Sequence, residues 1–141
     1  MRRSAIETSD PAPAGTSASL DLTHNFVEDA EHNICAAIFM DIATWHMAIF
    51  PMKSKSSSEF VCVLKLYRAL VRDTFQVELR TVRADNDPCF TDNQHGMPRN
   101  TAELQAYLDS LNVAERVVFT HSPPGYQALN PVECAVRQLY P

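Results

Sequence analysis

Ile34 to Met40 is an unbroken apolar run, and a run of that length suits a strand buried on both faces. Asp41–Thr44 supplies turn chemistry. Trp45–Phe50 resumes an apolar, aromatic run that reads as the hairpin partner, with Pro51 ending it and Trp45 expected in the core. A helix follows. Ser56 with Glu59 fits a capping box, and Phe60, Val63, Leu64, Tyr67, Leu70 and Val71 recur at helical spacing. Val77, Leu79 and Thr81 alternate with Glu78 and Arg80, which predicts a strand ending at Asp85. The polar stretch from Asp85 to Asn100 reads as a loop. Asn100 with Glu103 then opens a second helix carrying Leu104, Tyr107, Leu108 and Leu111. Arg116–Thr120 is a short β-branched strand. After a Pro-rich loop, Asn130 as N-cap and Pro131 at the first helical position predict a third helix. Ala18–Phe26 is the remaining strand candidate, and it comes first in the chain.

The resulting order, β-β-β-α-β-α-β-α, predicts an α/β domain: a mixed sheet with helices on both faces. Residues 1–16 are rich in Ala, Pro, Ser and Thr without apolar periodicity and read as a disordered tail, leaving 17–141 as one domain. The chain has 141 residues, 45% of them hydrophobic and 21% charged, which allows one modest core. No apolar run is long enough to span a bilayer, and no apolar segment follows Arg2 and Arg3, so neither a membrane protein nor a secreted one is expected. Cys35, Cys62, Cys89 and Cys134 lack metal-ligand spacing and read as free thiols of a nuclear or cytoplasmic protein. The histidines show no ligand spacing either. The net charge of −5 argues against strong autonomous DNA binding, though not against a site that needs carboxylates.

Three acids fall at strand or helix ends. Asp21 lies in the first strand candidate, Asp85 directly follows the fourth, and Glu133 is in the first turn of the last helix. In a sheet whose first and fourth strands are neighbours, Asp21 and Asp85 would stand side by side, with the last helix able to bring Glu133 against them. Hard divalent cations prefer such oxygen ligands, and two ions about 4 Å apart suit in-line displacement at phosphorus. Each acid also has a plain structural reading. Glu133 completes a capping box with Asn130, Asp85 could merely start a loop, and Glu28 and Asp29 compete with Asp21.

Three segments carry a resemblance. Residues 39–60 (FMDIATWHMAIFPMKSKSSSEF), 82–90 (VRADNDPCF) and 121–139 (HSPPGYQALNPVECAVRQL) resemble, in order, motifs of the catalytic core of copia-type LTR-retrotransposon integrases. That family is ribonuclease-H-like and belongs to the DDE superfamily. The likeness covers residues from about 20 to 140. It implies DNA polynucleotidyl transfer, comprising 3′-end processing and strand transfer, with two Mg²⁺ or Mn²⁺ ions as cofactors. It also implies Asp21, Asp85 and Glu133 as catalytic and metal-binding residues, and Asn86, Tyr126 and Asn130 as DNA-contacting ones. Lys55 matches a basic position, and Asp41 matches an acid outside the triad that reads as structural. DNA, held weakly by the isolated chain, and a second copy of the chain are the implied partners.

The chain departs from the family pattern at Asp87, Cys89, Pro131 and Cys134, where the family has Gly, Glu, Gly and Arg. Thr23, His24 and Asn25 replace a Trp-Gly-Pro, and the segment between Asp85 and Glu133 is longer, with its surplus expected in residues 91–100. The last helix stops early by comparison, so a C-terminally truncated core with exposed apolar faces and marginal stability is expected. These features also define an alternative: a catalytically inactive or co-opted ribonuclease-H-like module that binds nucleic acid or protein.

Overall fold

The computed structural model describes residues 13–23, 33–85, 87–92 and 99–121. Its elements are β1 (Ser17–Thr23), β2 (Cys35–Asp41), β3 (Met47–Met52), α1 (Ser57–Phe75), β4 (Thr81–Ala84), β5 (Thr91–Asp92), β6 (Arg99–Asn100), α2 (Ala102–Asp109), a 3-10 turn (Val113–Glu115) and β7 (Val118–His121). Five strands form one sheet in the order β3-β2-β1-β4-β7, while β5 and β6 form a separate two-stranded hairpin. β1 pairs antiparallel with β2 and parallel with β4, which is itself parallel to β7. The expected mixed α/β sheet is therefore present. β1 is its central strand.

Every residue of β2 is buried, in keeping with its unbroken apolar run. Ala37 and Phe39 enter the main core, while Ile38 and Met40 form a small second cluster with Met47 against it. α1 begins as its sequence dictates: Ser56 Oγ accepts from the Glu59 amide, 3.2 Å away. Glu59 reaches back past the cap to the amides of Lys53 and Ser54, at 2.6 and 3.1 Å, further than a simple capping box extends. Phe60, Val63, Leu64, Tyr67 and Val71 then bury one stripe, each worth roughly 1.5–3 kcal/mol relative to exposure. Tyr67 stacks on Phe39 with ring centroids 4.1 Å apart, and Phe60 packs against Phe90 and Phe119. Leu104 and Leu108 of α2 join this same core. The third helix, expected over 130–141, lies outside the described residues.

Several local expectations are corrected. β3 runs through Pro51, which pairs with Ala36. β3 is an edge strand, so the amide that proline lacks is not needed by a further neighbour. Trp45 is not in the core: it is 66% exposed and sits in the β2–β3 turn with φ +66°. β4 starts only at Thr81, and the second helix is capped by Thr101 rather than Asn100. The stretch expected as a loop from Asp85 contains the β5–β6 hairpin. At the other end, residues 13–16 are tied to the sheet. The Gly15 amide donates to Asp41 Oδ1 at 2.8 Å, and the Thr16 carbonyl accepts from Arg80 and Thr81. Gly15 has φ +86°, and a Cβ there would fall 2.8 Å from the Phe75 ring.

Candidate functional site

The strand order reverses direction at β1. From it the chain proceeds to β2 and β3 on one side, and later to β4 and β7 on the other. In open α/β sheets, the crevice beyond the carboxyl ends of strands at such a switch point is where ligands bind. The last paired residues of β1 and β4 are Leu20 and Ala84, so Asp21 and Asp85 are each the next residue of two adjacent parallel strands. Neighbouring strands lie about 4.8 Å apart. The two acids are brought abreast at the switch point, and both are partly buried. Glu133, Asn86, Tyr126 and Asn130 lie outside the described residues, as do the competing Glu28 and Asp29.

Around this pair the chain builds two supports that no sequence motif signals. Asp87 stands where the related motif has Gly. It is buried and serves the loop: its Oδ1 accepts from the Cys89 amide at 2.9 Å, and its carbonyl accepts from Phe90 and Thr91. Its Oδ2 pairs with Lys55 Nζ at 3.0 Å, joining the loop after Asp85 to the segment that leads into α1. Cys89 packs its thiol toward the Ser56 carbonyl at 3.5 Å. Burial, followed by the Asp87 charge, pushes that thiol up to about 12, so it is no nucleophile near neutral pH.

The second support is His121, at the end of β7 and in register with Ala84. Its Nδ1 lies 3.0 Å from Thr91 Oγ1 and its Nε2 lies 2.7 Å from Asn100 Oδ1. Thr91 Oγ1 in turn donates to the Asp85 carbonyl at 3.2 Å. Burial lowers the affinity of His121 for a second proton, and contact with the Asp85 backbone opposes this. No sequence spacing links residues 85, 91, 100 and 121; only the fold does.

Asp41, by contrast, is structural. It is 1% exposed, its Oδ1 holds Gly15, and its Oδ2 accepts from both the amide and the hydroxyl of Thr44 at 3.0 and 2.7 Å.

Two carboxylates abreast supply hard oxygen donors of the kind Mg²⁺ and Mn²⁺ take, so the donor chemistry fits a divalent ion. Among the described residues, no group of three or more His, Cys, Asp or Glu is placed to hold a metal. A groove of about 310 Å³ between α2 and β7 is lined by Asn100, Gln105, Leu108, Asp109, Arg116 and Phe119 among others, without either acid of the pair. Among the described residues, no helix is long and apolar enough to cross a membrane.

Sheet order, mixed pairing and helix placement define a ribonuclease-H-like α/β domain with the fold of an integrase catalytic core. The solved structures it matches are of that kind. The HTLV-2 integrase catalytic core domain in complex with magnesium, in its trimeric form, superposes with TM-score 0.56 at 16% identity, over 89% of this chain and 66% of that one. Its dimeric form matches at TM-score 0.56 and 14% identity, over 90% and 70%. The simian T-cell lymphotropic virus intasome in complex with PP2A regulatory subunit B56 gamma matches at TM-score 0.63 and 15% identity, over 89% of this chain but 38% of that one. The chain thus spans just under two thirds of the trimeric-form core domain and little more than a third of the intasome chain. No protein-family model and no curated protein matches the sequence. At these identities the likeness is one of fold.

Proposed function

We propose that this chain is the catalytic core of a copia-type retroelement integrase, performing DNA polynucleotidyl transfer at a site made by Asp21, Asp85 and Glu133. The observation that carries the reading is the abreast position of Asp21 and Asp85 at the switch point of an integrase-core fold. Asp21 and Asp85 would hold the divalent ions, with Glu133 completing the set. Such ions, when bound, neutralise charge on the attacking and leaving oxygens of a phosphodiester. The protein's own part is to keep two like charges together on rigid strands, to seat DNA through Asn86, Tyr126 and Asn130, and to hold the loop after Asp85 fixed. The magnesium and the oligomers named for the HTLV-2 core domain support divalent metal and self-association here.

The test is Mn²⁺-dependent strand transfer or nicking at low ionic strength, where an acidic chain holds DNA best. The expectation is a low rate that is abolished in Asp21→Asn, Asp85→Asn and Glu133→Gln. Activity that persists in any of these variants would contradict the assignment.

The Lys55–Asp87 pair favours a second reading. It engages a basic side chain next to the site, as would suit an interaction module that has kept the fold and lost the chemistry. Metal binding without any strand transfer, even in the wild type at high protein concentration, would select this reading.

A further inference from the structure

Beside Asp85, Lys55 and Asp87 make a contact whose two ends are held independently of it. Lys55 sits in a stretch pinned by Glu59, which accepts from the amides of Lys53 and Ser54 at 2.6 and 3.1 Å, and it directly precedes the Ser56 cap of α1. Asp87 is fixed from its own side, by the Cys89 amide on Oδ1 and by the Phe90 and Thr91 amides on its carbonyl. The loop is also joined to α1 without the ion pair. The Cys89 thiol meets the Ser56 carbonyl at 3.5 Å, and the Phe90 and Phe60 rings pack with centroids 5.1 Å apart. The 3.0 Å contact between Lys55 Nζ and Asp87 Oδ2 is thus additional to this packing. Its two sides differ. The Asp87 side chain is 6% exposed, whereas that of Lys55 is 36% exposed and ends a flexible four-carbon stem. When the pair opens, the lysine is the member that moves.

We propose that the Lys55–Asp87 pair is an internal lock against DNA: Lys55 is a phosphate-binding side chain, and Asp87 competes with the phosphate for it. The proposal rests on the reading of this chain as an integrase core. Asp85 and Asp87 have Cα atoms at most about 7 Å apart, so the ammonium lies beside an acid to which that reading assigns the chemistry. A lysine ammonium is a compact point charge, so it can exchange one oxyanion for another without a set geometry. In a chain of net charge −5, one cation engaged in this way weighs heavily. The logarithm of DNA affinity falls with that of salt by about 0.9 per phosphate neutralised, and a lysine held by Asp87 neutralises none. Binding must also draw Lys55 away from a buried carboxylate, which adds to the cost.

The test measures binding of a short labelled DNA duplex by fluorescence anisotropy across a salt series, in EDTA so that no divalent ion intervenes. The full-length wild type is compared with Asp87→Asn, which keeps an acceptor for the Cys89 amide and removes the charge. Asp87→Ser is a second uncharged variant able to accept from that amide; Lys55→Gln and the double variant Asp87→Asn/Lys55→Gln complete the set. Asp87→Asn and Asp87→Ser should bind about tenfold tighter than the wild type at about 0.05 M salt, with a salt slope steeper by about 0.9. Lys55→Gln should bind like the wild type, and the double variant should lose the gain. An equal gain from Asp87→Asn with and without Lys55 would show only the loss of a repelling charge, and would overturn the proposal. So would an affinity unchanged in both Asp87 variants, a Lys55→Gln change that weakens the wild type as much as it weakens Asp87→Asn, or no DNA binding by any of the five proteins. The catalytic reading fails separately. If the lysine-dependent gain appears, but neither the wild type nor Asp87→Asn shows Mn²⁺-dependent nicking or strand transfer, the transfer chemistry is overturned and the lock stands.

Discussion

Asp41 illustrates how much one buried carboxylate can organise. It accepts from Gly15, from the Thr44 amide and from the Thr44 hydroxyl, so it holds the N-terminal entry and the β2–β3 turn at once. Asp41→Asn keeps an acceptor for Gly15 but turns a donor toward Thr44. Hydrogen bonds to charged groups are worth more than neutral ones, so a loss of about 2 kcal/mol is expected in urea unfolding, and a loss below about 0.5 kcal/mol would contradict the role. Cys89 is governed by burial in another way. With its thiol pushed up to about 12, it holds almost no thiolate at pH 8, whereas Cys62 is exposed. Thiol labelling of the native protein at pH 8, mapped by mass spectrometry, should modify Cys62 and spare Cys89; comparable labelling of both would show that Cys89 is open to solvent.

Between elements, a charge network lies on the C-terminal half of α1. Buried Arg68 donates to the Tyr107 hydroxyl at 2.7 Å and to Glu78, while Arg72 makes two bonds to Glu78, at 2.7 and 3.0 Å, and one to Glu115 at 3.1 Å. It joins α1, α2, the segment before β4 and the 3-10 turn. The hydrogen bond from Arg72 holds the Glu78 carboxyl below its ordinary value, so near pH 4 the folded chain binds fewer protons at this site than the unfolded chain. Its contribution is complete above the unfolded-state pKa and is lost as pH falls through the lower folded value. Glu78→Gln should therefore cost about 0.5–1 kcal/mol at pH 7, allowing for solvent around a 39% exposed Arg72, and the cost should shrink as pH falls through the lowered folded value. Thermal unfolding across pH 3–7 measures it, and a cost that is the same at both ends would contradict the ion-pair account.

Elements with strong local signals were legible in the sequence: the all-apolar β2, and α1 with its Ser56 cap and apolar stripe. The misreadings share a cause, which is that tertiary placement overrode a local signal. Pro51 reads as a stop, yet on an edge strand its missing amide costs nothing. Trp45 reads as core, yet it occupies a turn position with positive φ. Asn100 reads as the cap of α2, yet it belongs to β6 and to His121, and Thr101 does the capping. Asp85 was legible as a candidate because it directly follows a strand signal, and Asp21 because it lies in the first strand candidate, a neighbour of that strand in the expected sheet. Thr91 and His121 were not, since their relation to Asp85 exists only once β7 pairs with β4.

At the scale of the whole molecule, a chain of net charge −5 folds so that two of its acids stand abreast on the central parallel strands. Like charges held together oppose folding unless a cation offsets them, so a divalent ion that binds only the folded state should raise its stability by mass action. The most direct test is calorimetric titration of the wild type with Mn²⁺ beside Asp21→Asn and Asp85→Asn. Saturable binding by the wild type that is lost in both variants, with a matching rise in melting temperature only in the wild type, is the predicted result. Equal heats from all three proteins would contradict it, and would leave the abreast carboxylates as a feature of the fold rather than a metal site.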